Sequence, residues 1–256
     1  MIPRLYVTED LAPGAAIAAD ARTLHYLRNV MRRGTGDAVV LFNGRDGEFA
    51  AVIAEIDKKS ATFRLGGRRR VQEAVADLWL CFAPLKKDAT DFLIEKGTEL
   101  GVAAFQPVFT RHTAATRLNL ERLAANAVEA AEQTRRLSIP ALRPPWTLDE
   151  MISAWDPRRR LILCAESGTA APIADALAEI GRSVSPPNSW AIFCGPEGGF
   201  SPGELDRLMK LPFVTPVGLG PRVLRADTAA LAALALFQAI LGDGRKRPPE
   251  PIDALP

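Results

Sequence analysis

The sequence predicts an α/β protein, with a small β-rich domain over residues 1–70 followed by a mostly parallel sheet covered by helices. Three observations predict it. Short β-rich runs separated by Asn43-Gly44 and Asp46-Gly47 turns fill the N-terminal part. From Asp77 onward, apolar strand-like runs alternate with helical periodicity, the pattern of βαβ units. Glycine-rich loops follow two of the buried runs. At 256 residues, 48% apolar and 24% charged, the chain suffices for a sizeable core in one or two domains.

The elements follow in order. DARTLHYLRNVMRR sets Leu24, Leu27, Val30 and Met31 at helical spacing behind Asp20, a capping residue. GDAVVLFNGRDGEFAAVIAEIDKKSATFRL then gives strands at 39–42, 49–56 and 61–65, a meander or small barrel. RRRVQEAVA is the linker. In the second part, 71–246, LWLCFAP reads as a buried strand, 86–100 as a helix ended by Gly101, and VAAFQPVFT as another strand. An alanine-rich helix covers 118–136. LILCA and WAIFCG are buried strands on either side of a helix at 172–180. Ser201 caps the next helix, with Pro202 at its first position and Glu204 completing a capping box. TPVGLG is the last strand, 223–241 a closing apolar helix, and 247–256 a tail. From periodicity alone, and from the rule that chains are not knotted, this is an open doubly wound sheet.

Composition excludes several classes. A net charge of +2 rules out a polycation, although Arg22, Arg28, Arg32 and Arg33 cluster early and Arg68, Arg69 and Arg70 form a run. Such patches suit a phosphate backbone, or are simply solvated surface. Cys81, Cys164 and Cys194 form no CxxC pair, which argues for reduced thiols and against a metal. No apolar run reaches the length of a membrane span, and MIPRLYVTED has no export pattern, so a cytoplasmic protein is expected.

Ligands of open α/β sheets bind beyond the carboxyl ends of the strands. GPEGGFS and GLGPRVLR both occupy such ends. The first lacks the lysine of a P-loop and is not GxGxxG, and a lone glycine-rich turn is more often only a turn. Two at neighbouring strand ends point to a ligand. In LGPRVLRADTAA, Asp227 or Thr228 suits the start of a helix, but Arg222 and Arg225 stand at its unfavourable end, where an anion would explain them. Glu95 and Glu99, four apart on one helix, repel mildly. AAEQTRR places Arg135 and Arg136 at a helix C-terminus, which their charge complements. His112 has no Ser or Asp partner in sequence, which makes a His-dependent hydrolase a poor reading.

Five stretches, in order, resemble the RsmE family of bacterial methyltransferases that modify N3 of a uridine in 16S ribosomal RNA. They are HYLRNVMRRGTGDAVVLFNGRDGEF, EKGTELGVAAFQPVF, AAEQTRRLSIP, CGPEGGFSPGE and LGPRVLRADTAALAAL. The resemblance implies a PUA-like β-barrel over 1–70 and a SPOUT-type domain over 71–246 with a C-terminal trefoil knot. It further implies a homodimer, S-adenosylmethionine as cofactor, and 16S rRNA of the small ribosomal subunit as partner, with no membrane and no metal. Motif matching places the cofactor against Gly195, Pro196, Glu197, Gly198, Gly199, Leu219, Gly220, Leu224 and Arg225. Methylation of N3 requires loss of its proton, for which Glu197 or Asp227 is the candidate base. Arg136 or Arg225 is the candidate for stabilising the uracil anion. Glu197 is equally a candidate brace of its own loop, and Arg225 a partner of either the cofactor carboxylate or RNA. RNA contacts are expected at Arg28, Arg32, Arg33, Arg68, Arg69, Arg70 and Arg111. The sequence departs from the family in having Asp227-Thr228 where Glu-Thr is usual, and Thr110, Arg111 and His112 where Ser-Glu-Arg is frequent. Ribose 2′-O methylation and non-catalytic rRNA binding are the rival readings.

Overall fold

The computed structural model describes residues 2–165, 170–183 and 188–249. They form two compact units that are not contiguous in sequence. The first runs to Ala74 and takes in Ala131–Ile139 and the segment from Pro248; the second comprises Val75–Ala130 and Pro140–Arg247. A single cut near residue 70 does not anticipate the transfer of 131–139. Most of the expected tail, 250–256, lies outside the described residues.

In the first unit, β1 (Arg4–Tyr6), β2 (Ala16–Ala18), β3 (Ala38–Phe42), β4 (Glu48–Ile56) and β5 (Ala61–Arg70) form a sheet in the order β1-β3-β4-β5-β2. Only the β1–β3 pair is parallel. Alternation does the sorting: Phe49, Ala51 and Ile53 on β4 and Phe63 and Leu65 on β5 are buried, while Val52 and Arg64 between them face out. The β3–β4 turn is held by Asn43, whose side-chain oxygen accepts the Arg45 and Asp46 amides at 3.0 and 2.9 Å.

The expected N-terminal helix forms, but not with the expected face. Asp20 caps α1 (Ala21–His25) by accepting the Thr23 amide at 2.7 Å. The chain then continues as a π-helical turn, Tyr26–Val30. The wider turn shifts the periodicity on which the sequence reading relied. Leu27 is fully buried, yet Val30, predicted to face inward, is 60% exposed.

Arg4 is the polar centre of this unit. It is buried, as is Glu48, to whose carboxylate its Nε donates at 2.7 Å. Its remaining donors go to the Ala131, Glu132 and Arg136 carbonyls at 2.9, 3.0 and 2.7 Å, and its guanidinium lies 4.2 Å from the Phe42 ring centre. Carbonyls at a helix end lack intrahelical partners, and a buried arginine supplies the missing donors.

The second unit carries β6 (Asp77–Phe82), α2 (Lys87–Glu99), β7 (Ala104–Phe109), α3 (Leu120–Gln133, its last residues counted with the first unit), β8 (Ala141–Leu142), β9 (Trp146–Thr147) and α4 (Leu148–Ala154). Then follow β10 (Arg160–Cys164), β11 (Ala171–Pro172), α5 (Ile173–Gly181), β12 (Ser189–Cys194), α6 (Pro202–Met209), β13 (Val214–Gly218) and α7 (Ala226–Ile240). The sheet order is β11-β13-β10-β12-β6-β7-β8, with β9 paired to β7, and every pairing is parallel. Central strands read as unbroken apolar runs because both faces are covered.

Three differences from the sequence reading have local causes. Helix α3 stops at Gln133, not 136, as the chain enters the left-handed region at Arg135 with φ 61°. Helix α7 begins at Ala226, not 223, because Arg225 is extended. Helix α4, unforeseen, starts at a capping box between Thr147 and Glu150 and buries Leu148 and Met151 beside Trp155 and Phe193. Near the start of β6, Arg159 grips both carboxylate oxygens of Asp77 at 2.9 and 2.7 Å, and its guanidinium lies 3.9 Å from the Trp79 ring centre.

Candidate active site

Strands β12, β10 and β13 are neighbours and end level, with Cys164 opposite Cys194 on one side and Val217 on the other. The loops that follow β12 and β13 therefore rise on either side of the β10 end, from the carboxyl edge of the sheet. Between them is a cavity of about 630 Å³, within the range of small-molecule sites. Gly195, Pro196, Gly198, Gly199, Leu219, Gly220 and Leu224 line it, all anticipated from sequence. Gly199 and Gly220 have φ of 68° and 101°, a region that side chains other than glycine enter at a cost. The Gly199 amide closes the first loop on the Pro196 carbonyl at 2.9 Å.

The lining also includes residues that motif reading does not single out. Cys164 and Cys194 form part of the lining, and Phe200, Leu205, Ala226 and Ala229 add apolar wall. Strand register is the signal that would have found the two cysteines, since the last residues of adjacent parallel strands face the same crevice. Burial pushes the Cys81 thiol up to about 12, and the hydrogen bond with Cys164, then burial, raises that of Cys194. Thiols held neutral in this way are packing groups, not nucleophiles.

Other expected site residues lie elsewhere. Glu197 is exposed and makes no hydrogen bond or ion pair among the described residues, and it is not part of the lining. Asp227 sits in the first turn of α7, where its carboxylate accepts the Thr228 amide at 2.6 Å and hydroxyl at 3.2 Å. Arg225 is the exposed N-cap of α7, without a side-chain cap bond, while Arg222 contributes to the cavity wall. Arg136 belongs to the first unit, where its carbonyl accepts from Arg4.

The residues expected to meet RNA divide in a similar way. Arg32, Arg68 and Arg111 are exposed, and Arg28 and Arg33 half-buried. Arg69 and Arg70 lie 3.9 Å from the buried Glu48 carboxylate, so their charge is partly committed inside the first unit. On α2, Lys96 bridges Glu95 and Glu99 at 2.8 and 2.7 Å, which removes the repulsion predicted there.

Glu204, at the start of α6, joins Ser201 to the turn at Arg111. The capping box forms as predicted: Glu204 Oε2 accepts the Ser201 amide and hydroxyl, both at 2.9 Å. Oε1 accepts the Arg111 amide at 2.8 Å. Partial burial opposes the charge on this carboxyl, but the hydrogen bonds from Arg111 and Ser201 outweigh it and hold its pKa below the usual range.

The cavity fits S-adenosylmethionine by its chemistry. The glycines allow close backbone approach, the apolar wall suits adenine and ribose carbons, and Arg222 can face a carboxylate. No group of three or more His, Cys, Asp or Glu side chains among the described residues could hold a metal ion. None of the described helices is long and apolar enough to cross a membrane.

Comparison with known proteins gives the class. Residues 72–238 match an RNA methyltransferase domain and residues 19–66 an RNA methyltransferase PUA domain. A putative methyltransferase from Legionella pneumophila, solved with bound SAM, superposes with a TM-score of 0.83 at 30% identity, covering 93% of this chain and 98% of that one. A ribosomal RNA small subunit methyltransferase E from Neisseria gonorrhoeae, solved with S-adenosyl methionine, gives 0.83 at 26% identity, covering 95% and 99%. The fold and cavity are thus those of a SPOUT-type RNA methyltransferase with a PUA-like N-terminal domain. The ribosomal RNA small subunit methyltransferase E of Rickettsia conorii is 32% identical over 233 residues, 91% of this chain and 93% of its own length. The chain belongs to the RsmE family.

Proposed function

We infer that this protein transfers a methyl group from S-adenosylmethionine to N3 of a uridine in 16S rRNA of the small ribosomal subunit, acting as a cytoplasmic homodimer whose C-terminal loops form a trefoil knot. The observation that carries the reading is the cavity at the carboxyl ends of β10, β12 and β13, walled by two glycine loops in a chain of this family.

When bound, S-adenosylmethionine supplies an electrophilic methyl group on a sulfonium. Gly195–Gly199 and Leu219–Leu224 would hold it by close backbone approach, and Arg222 or Arg225 would pair with its carboxylate. Glu197 or Asp227 takes the N3 proton of the uracil, and Arg225 stabilises the negative charge that develops on the uracil oxygens. Arg28, Arg32, Arg33, Arg68 and Arg111 meet the RNA backbone, with a smaller share from Arg69 and Arg70. Orientation supplies much of the acceleration, because the nucleophile must meet the methyl carbon in line.

The test is nucleoside mass spectrometry of 16S rRNA after incubation with protein and S-adenosylmethionine. Methylated uracil base, lost in Glu197→Gln or Asp227→Asn, is the expected result. A 2′-O-methylated nucleoside would overturn the base assignment, and unmodified RNA the activity itself.

A further inference from the structure

A capping box needs only one oxygen of its glutamate, and at Glu204 both Ser201 donors go to Oε2. Helix capping therefore leaves Oε1 unexplained. That oxygen reaches across 93 residues of sequence to the Arg111 amide at 2.8 Å. Arg111 occupies the second position of a tight turn after β7, closed by the Thr113 amide on the Thr110 carbonyl at 3.1 Å. The Thr113 hydroxyl accepts the Thr110 amide at 2.9 Å and stiffens the turn. The next residue, His112, lies against the glycine loop itself. Its Nδ1 is 3.2 Å from the Gly199 carbonyl, and a Cβ at Gly198 would come 3.3 Å from its own Cβ.

We propose that Glu204 is a positioning residue that ties the 110–113 turn to the Gly195–Gly199 loop and so holds that loop in its cofactor-binding shape. The proposal rests on the preceding reading of the cavity as a site for S-adenosylmethionine. Its physical content is division of labour within one carboxylate: Oε2 fixes where α6 begins, and Oε1 fixes the turn that backs Gly198 and Gly199. An ionised carboxylate can accept at both oxygens at once, whereas an amide cannot. Gln suits a capping box, so Glu204→Gln keeps one arm and opposes a donor to a donor in the other. This is why the second arm can be cut while α6 stays capped.

The experiment compares two substitutions at one position. Proline is favoured at the second position of such a turn and has no amide donor. Arg111→Pro thus removes the hydrogen bond to Glu204 together with the side chain, and Arg111→Ala removes the side chain alone. Calorimetric titration with S-adenosylmethionine is expected to leave Arg111→Ala within about twofold of the parent. Arg111→Pro and Glu204→Gln should each weaken binding roughly tenfold, as loss of a hydrogen bond to a charged group predicts. The double variant should be little weaker than either single one, since both cut the same bond.

Equal affinities for Arg111→Pro and Arg111→Ala would overturn the proposal, as would independent multiplication of the two losses. A parent protein that does not bind S-adenosylmethionine overturns the reading of the cavity and the proposal with it. Amide exchange on the unmodified chain decides the matter if a variant fails to fold. Saturating cofactor should slow exchange at Arg111 and at Gly198 and Gly199 together, and an unchanged Arg111 amide would count against the latch.

Discussion

Replacing Arg4 by Met removes the donor on which the first unit is organised, and the loss can be sized from its contacts. Glu48 would stay 2% exposed, with Arg69 and Arg70, at 3.9 Å, as its nearest cations. Breaking a buried ion pair from one side costs about 3–5 kcal/mol. The Ala131, Glu132 and Arg136 carbonyls lose their donor as well, at roughly 1 kcal/mol each where water cannot reach. These terms overlap, so a loss of about 5 kcal/mol is expected. At roughly 2–4 °C per kcal/mol for a chain of this size, the melting temperature should fall by roughly 10–20 °C. Urea and thermal unfolding followed by far-ultraviolet circular dichroism measure it. The cause is separated from lost packing by Arg4→Met/Glu48→Met, which removes the stranded charge and should be more stable than Arg4→Met alone. A loss below about 1 kcal/mol, or a double variant as unstable as the two single losses summed, would refute the reasoning.

Two further outcomes follow from the second unit. Partial burial opposes the Asp77 carboxylate, but its hydrogen bonds and charge contact with Arg159 outweigh this and lower its pKa. A depressed carboxylate stabilises the fold above its unfolded value and loses that contribution as pH falls through its folded value. Parent and Asp77→Asn should therefore differ in melting temperature at neutral pH and converge at acid pH below the ordinary carboxylate range; a constant gap would contradict the pairing. Gly220→Ala meets no atom within 4 Å but must hold φ at 101°. Its cost is then backbone strain alone, about 1–2 kcal/mol, read as weaker S-adenosylmethionine binding in calorimetry, while unchanged affinity would show the loop free to relax.

Much of the fold was legible because apolar runs and turn chemistry are local signals. β6, β10 and β12 stand where LWLCFAP, LILCA and WAIFCG placed them, and the Ser201–Glu204 capping box formed as spelled. What escaped depends on partners distant in sequence. Two-residue strands such as β8 and β9 exist only as edges of β7, and nothing in their own residues announces them. The π-helical turn is a choice of hydrogen-bond register that side-chain spacing does not encode, so Val30 was placed on the wrong face. At the site, glycines identified the loops, since bare backbone is itself a sequence feature. Cys164, Phe200 and Arg222 became part of the lining through strand register and loop course. Glu204 was legible as a cap but not as a bridge, because its second partner, Arg111, is remote in sequence.

The discontinuity of the first unit bears on how such a protein can be made and rearranged. During synthesis the sheet's strands are complete once residue 70 has emerged, yet Phe42 still awaits Ala131 and Leu137. Arg4 meanwhile awaits carbonyls near residue 131 and beyond. The N-terminal sheet must therefore spend the translation of some sixty further residues, at roughly 5–20 residues per second, as an unfinished intermediate. The same arrangement restricts shuffling of the gene. A segment cut at residue 74 keeps Glu48 but leaves the buried arginine without its three carbonyl acceptors, so the sheet travels as a module only if the strap at 131–139 is transplanted with it.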